Sequence, residues 1–111
     1  MRGENIGELE ELVLLTIGAI YKEAYALAIL EEIKQNTDRS MDVTAVHSVL
    51  RRLEKKGFVT SKMGGATQDR GGRRKRFFSL TQAGRKMLDQ TMALRMSLYN
   101  KLPRLTFSTL S

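Results

Sequence analysis

The chain has 111 residues, with 19 Lys and Arg against 12 Asp and Glu for a formal charge of +7, one histidine, one proline and no cysteine. That length makes one small domain with little room for a separate catalytic unit, and 41% hydrophobic with 28% charged residues is too apolar for a disordered chain. Without cysteine there is no disulfide framework, thiolate nucleophile or cysteine-built zinc site, and a lone histidine cannot form a multi-histidine cage, so neither metal nor cofactor is expected.

The apolar run over residues 12–20 is shorter than the about 20 residues of a membrane span. Glu4, Glu8, Glu10 and Glu11 precede it where a signal peptide has a basic region. No membrane segment is expected, and the protein reads as cytoplasmic. Asn5 followed by Glu8 resembles a capping box, and Ile6, Leu9, Leu12, Val13, Ile17 and Ile20 follow at helical spacing, which predicts a helix over residues 6–21. Its second half is apolar on nearly every side and needs cover from its own fold or from a partner chain. Residues 24–36 place Tyr25, Ala28, Ile29 and Ile33 on one face and Glu31, Glu32 and Lys34 on the other, a second helix. A polar break leads to Asp42, a good N-cap, and Val43, Val46, Val49, Leu50 and Leu53 define a third helix ending at Gly57. The opposite face of that helix carries Thr44, Ala45, His47, Ser48, Arg51, Arg52 and Lys55. Residues 58–63 and 73–80 are rich in β-formers around a glycine-containing turn, so two strands are predicted. Thr81 caps a last helix whose apolar side is Ala83, Met87, Leu88, Met92, Leu94, Leu98 and Leu102, before Pro103.

Charge is unevenly placed. Residues 1–40 carry four basic and eight acidic side chains, whereas residues 51–76 carry ten basic against Glu54 and Asp69, a local charge of +8. A solvated charged face is the plain reading of such a block; a patch facing a polyanion is the other. Three helices followed by a β-hairpin is the winged helix-turn-helix order, in which the third helix enters the major groove and the hairpin loop reaches flanking DNA. The fold class expected is therefore mainly α with a small β-hairpin. Small hydroxyl and methyl groups at Thr44, Ala45 and Ser48 allow close approach to base edges, with His47 a groove-facing donor. Arg51, Arg52 and Lys55 sit where phosphates would lie. In the hairpin, Gly72 lets the backbone conform while Arg70, Arg73, Arg74 and Lys75 supply cations. For Arg51, Arg52 and Lys55 the alternative is an exposed helix face held by ion pairs through Glu54 or an acidic residue of the first helix.

The wording of several segments carries a resemblance: residues 6–15, Ala24-Tyr25-Ala26, residues 50–57, residues 72–81 and Gly84. Over residues 6–100 the chain resembles the PadR family of transcriptional regulators. The resemblance implies a homodimeric winged-helix repressor released by a small-molecule effector, with dimer contacts from the first and last helices. On that reading residues 1–81 form the DNA-binding domain, 82–103 a dimerisation helix and 104–111 a tail. A dimer would engage double-stranded DNA at a near-palindromic operator. The chain departs from the family at His47, usually a tyrosine, and at Phe77-Phe78, often tyrosines, and it resembles the shorter subgroup that lacks a larger C-terminal domain.

Two other functions fit a basic winged helix: an RNA-binding or ribosome-associated module, against which the aromatic content of 6% argues, and a protein-interaction adaptor, against which the arginine-rich wing argues. An enzyme is not expected, because no paired carboxylates, nucleophile–base pair or P-loop occurs. Met87, Met92 and Met96 read as core or dimer packing, or as an adaptable ligand pocket; Tyr25 and Tyr99 as core aromatics or as the border of an effector site.

Overall fold

In a computed structural model of the chain, which describes residues 6–64 and 74–104, three helices precede a two-stranded hairpin and a fourth helix. These are α1 (Glu8–Ile20), a short 3-10 turn (Tyr21–Glu23), α2 (Ala26–Asn36), α3 (Val43–Lys55), β1 (Val59–Met63), β2 (Arg76–Leu80) and α4 (Gln82–Tyr99). The order is that of the winged helix-turn-helix, as expected.

α1 begins two residues later than its periodicity predicts. Gly7 takes the N-cap position, and its N–H donates to Glu10 Oε1 at 2.8 Å. Asn5 lies outside the described residues, and Glu8, its expected capping partner, instead pairs with Arg39 at 3.1 Å. Glu10 wins the cap because it stands at the third helical position, from which a carboxylate reaches back to the cap N–H. The chain leaves α1 through Tyr21 at φ 52°, a value that tyrosine seldom adopts. The turn beyond it is tied to the hairpin, where Phe78 N–H donates to the Ala24 carbonyl at 2.8 Å.

α3 starts as read: the Asp42 carboxylate accepts from Ala45 N–H at 3.0 Å. It ends in a Schellman motif around Gly57 at φ 82°, with Gly57 N–H on the Glu54 carbonyl (3.0 Å) and Phe58 N–H on that of Leu53 (2.9 Å). The hairpin is antiparallel, Val59 opposite Leu80 and Met63 opposite Arg76, with Phe58, Val59 and Phe78 buried.

One hydroxyl joins the two halves of the molecule. Thr81 Oγ1 caps α4 by accepting from Gly84 N–H (3.0 Å) and donates to the Gly57 carbonyl (2.6 Å), so the end of α3 and the start of α4 share one side chain. The core is a single cluster: Val13, Leu14 and Ile17 of α1; Ile29, Leu30 and Ile33 of α2; Val46, Val49, Leu50 and Leu53 of α3; the hairpin residues; and Leu88 of α4. α4 stops at Tyr99, short of Pro103, and from residue 93 onward its side chains are exposed. Only its first turns therefore belong to the core.

Candidate nucleic-acid interface

The apolar stripe of α3 packs inward, which turns the opposite stripe to solvent. Thr44, His47, Arg51 and Lys55 are exposed there, with Ala45 and Ser48 half-buried between them. Their spacing of three and four residues aligns them along one side of the helix. The guanidinium of Arg51 reaches back to Ser48 Oγ at 3.4 Å.

Arg52 lies on another side. Its Nε donates to Glu10 Oε2 at 3.1 Å, and Lys56 Nζ meets Glu10 Oε1 at 2.9 Å. The ion pair to the first helix is thus realised for Arg52, although about half of the arginine side chain stays exposed. Glu10 is almost fully buried. Burial pushes its carboxyl up, but Lys56, the Gly7 N–H and Arg52 together outweigh that and hold it below the ordinary glutamate range. The result is a two-cation clasp that fixes the end of α3 to α1. Sequence reading offered an acidic residue of the first helix as a partner for Arg52 but singled out neither Glu10 nor Lys56, because the paired residues stand 42 and 46 positions apart.

The hairpin supplies the second set of cations. Arg74, Lys75 and Arg76 are all exposed. Arg74 Nε donates to the Gly64 carbonyl at 2.9 Å, and Lys75 Nζ stands 4.2 Å from the centroid of the Tyr25 ring, in cation–π range. Arg76 Nη1 donates to Ser61 Oγ (3.1 Å), which donates to Glu54 Oε2 (2.8 Å). Phe77 meets Tyr25 edge-on at 5.5 Å, so the base of the wing is braced against the start of α2. Arg70, Gly72 and Arg73, assigned to the hairpin tip from sequence, lie outside the described residues.

Between α3, the start of α2 and β2 runs an open groove of about 570 Å³. His47, Arg51 and Glu54 line it from α3, Arg74, Lys75 and Arg76 from the wing, and Leu50 and Phe78 contribute apolar surface. Cations from segments more than 20 positions apart thus face one concavity, which suits an extended polyanion better than a compact metabolite.

A second surface is apolar. Leu15 and Tyr21 are exposed, as are Leu94, Met96, Leu98, Tyr99 and Leu102 along and just beyond α4. Met87 packs on the core and Met92 borders a groove of about 520 Å³ between α1, β2 and α4, so the three methionines serve different places. Arg95 donates two hydrogen bonds to the buried Glu11 carboxylate (3.1 and 2.8 Å), which fixes how α4 lies on α1. Among the described residues no group of three or more His, Asp or Glu is placed to hold a metal ion, and no single helix is long and apolar enough to cross a membrane.

Solved structures with this architecture are numerous. A PadR family transcription regulator from hypervirulent Clostridium difficile is 19% identical with a TM-score of 0.71, over 85% of this chain and 93% of that one. A Streptococcus transcriptional regulator is 22% identical with a TM-score of 0.67, over 84% of this chain and 86% of that one. Bacillus subtilis PadR, solved in complex with operator DNA, is 17% identical with a TM-score of 0.60, over 77% of this chain and 46% of that one. At these identities the likeness concerns the fold. No curated protein sequence matches. The family description "Transcriptional regulator PadR-like family" matches residues 13–90, from the middle of α1 through the first half of α4. The chain belongs to the PadR-like family of transcriptional regulators, which is not a family of enzymes.

Proposed function

We propose that the protein is a sequence-specific DNA-binding repressor that acts as a homodimer and leaves its operator when an effector binds. The observation that carries the DNA-binding reading is the groove itself: the exposed face of α3 and the cations of the wing flank one concavity. In this reading Thr44, Ala45, His47 and Ser48 approach base edges in the major groove, and Arg51, Lys55, Arg74 and Lys75 contact phosphates. Arg70, Gly72 and Arg73 extend the wing onto flanking DNA. Arg52 serves mainly to hold α3 in place, with a secondary phosphate contact through its exposed half. Bacillus subtilis PadR on its operator supports the same use of the fold.

Residues 1–81 are the DNA-binding unit, 82–103 the dimerisation segment, with α4 (Gln82–Tyr99) as its helical part, and 104–111 a tail. The apolar side chains left exposed on α4, with Leu15 and Tyr21 of α1, support pairing with a second copy through the last and first helices. Two recognition helices about 34 Å apart then read a near-palindromic site, and the effector acts where α4 meets its neighbours.

Titration of DNA against salt tests the electrostatic premise. With about four phosphates contacted per subunit, log K should fall with log salt at a slope near −7. A slope near zero, or a footprint without two-fold symmetry, would overturn the reading. Competition between duplex DNA and structured RNA separates it from an RNA-binding module.

A further inference from the structure

We infer that DNA binding by this protein is proton-linked through His47, so that affinity rises as pH falls through the neutral range; the inference rests on the DNA-binding reading of the groove. His47 is the only histidine of the chain. It is exposed on the outer face of α3, one turn before Arg51, and lines the groove between the recognition helix and the wing. Its imidazole makes no hydrogen bond or ion pair with any described residue. Among the described residues, neither ring nitrogen is engaged.

The charges around it decide the direction. Among the described residues, the titratable and charged groups lining the groove are Arg51 and Glu54 from α3, Tyr25 at the start of α2, and Arg74, Lys75 and Arg76 from the wing. Four cations stand against one carboxylate, and that carboxylate already accepts from Ser61. Seating a polyanion in the groove neutralises the surplus and adds phosphates, so the same ring is then favoured as imidazolium. An imidazolium also offers two N–H donors, which suits acceptors such as the N7 and O6 of guanine or a phosphate oxygen.

The sign follows from linkage. A group whose pKa is higher in the complex than in the free protein binds a proton on association. Its contribution to affinity is complete below the free-state pKa and is lost as pH rises through that of the complex. Imidazole is the side chain whose ordinary titration lies between about pH 5 and 8, so the effect falls in the physiological window. Per subunit, log K should fall by up to one unit for each pH unit inside that window, and a dimer engaging both half-sites doubles the slope.

The test uses full-length protein without a histidine tag and mixed-sequence DNA duplexes of about 30 base pairs, three helical turns. Duplexes recovered by selection from a random pool serve as a second probe. Affinity is measured by fluorescence anisotropy at constant ionic strength between about pH 5.5 and 8.5. The wild type should bind at least tenfold more tightly at the low end, whereas His47→Gln should leave a shallow residual profile, because the amino terminus also titrates near pH 8. His47→Arg carries a permanent charge and should match the shallow slope at an affinity close to that of the wild type at low pH. Because only one histidine is present, its Hε1 proton resonance gives a direct second readout. Its titration midpoint should move to higher pH on adding duplex. Binding that is tight but equally pH-dependent in wild type and His47→Gln, or a midpoint that DNA leaves in place, overturns the proton link alone. Absence of duplex binding at every pH overturns the DNA-binding reading and the link together.

Discussion

Gly84 is the position where a single methyl group should separate α4 from the wing. A Cβ built there lies 2.0 Å from the Phe58 carbonyl oxygen and 3.0 Å from its carbon. Ordinary C···O contacts begin near about 3.3 Å, so the helix and the strand must part by about 1.3 Å. Phe58 cannot give way cheaply. Its N–H closes the Schellman motif on Leu53 and its carbonyl accepts from Thr81 N–H at 3.1 Å, so moving it opens both the end of α3 and the start of α4. In a free helix Gly→Ala would stabilise by about 1 kcal/mol. Against this stand the about 1–3 kcal/mol of overpacking and part of the about 1.5–3 kcal/mol from burying Leu88, which the displaced helix uncovers. We expect Gly84→Ala to lose about 2 kcal/mol net and the melting temperature to fall by about 10 °C at fixed protein concentration. Gly18 is the internal contrast: its added Cβ meets only Leu80 Cδ1 at 3.1 Å, the end of a side chain that can turn aside. Gly18→Ala should stay within about 1 kcal/mol of the wild type. Paired urea and thermal unfolding of the two variants decides the matter. A Gly84→Ala protein as stable as the parent would refute the close approach and the coupling of α4 to the wing.

Three further outcomes are expected. Glu10→Gln removes the charge that Arg52 and Lys56 share while keeping an acceptor for Gly7 N–H. With Arg52 half exposed, the loss should be about 1–2 kcal/mol at neutral pH. Because the Glu10 carboxyl is held below its ordinary value, this stabilisation is present above the unfolded-state pKa and disappears as pH falls through the folded one. The gap between variant and parent in urea midpoints should therefore close in acid, and a constant gap would count against the clasp. Leu94→Glu with Leu98→Glu should leave helix content intact and convert a dimer to a monomer in sedimentation velocity, since both side chains are exposed in the single chain; an unchanged dimer would place the interface elsewhere. Arg51→Ala and Lys75→Ala should weaken binding to all duplexes and reduce the salt slope by about 1 per subunit each, whereas Thr44→Ala or Ser48→Ala should alter base preference. The opposite pattern would exchange the roles assigned to them.

Much of the architecture was legible because it is written in local physics. Apolar residues at helical spacing marked α2 and α3 and most of the core. Asp42, Gly57 and Thr81 marked helix ends because capping needs only a few neighbouring backbone groups. The exposed stripe Thr44, His47, Arg51 and Lys55 followed from the buried one by helix geometry alone. The cap of α1 was misplaced by two residues, since Asn5 with Glu8 and Gly7 with Glu10 share the same three-residue spacing and local pattern does not choose between them.

The sequence by itself determined the order of elements, the buried faces and a basic segment of +8, for all of these depend on neighbours along the chain. Tertiary structure alone decided which charges remain available and which are used internally. Arg51 and Arg52 are adjacent and chemically identical, yet a rotation of about 100° between successive helical residues sends one to the groove and the other to Glu10. Only the fold could also set the cations of the wing across from those of α3 and lay Gly84 against the Phe58 carbonyl. Contacts of that kind join residues far apart in the chain, and their geometry is settled by how the hairpin and α4 pack on the three-helix core.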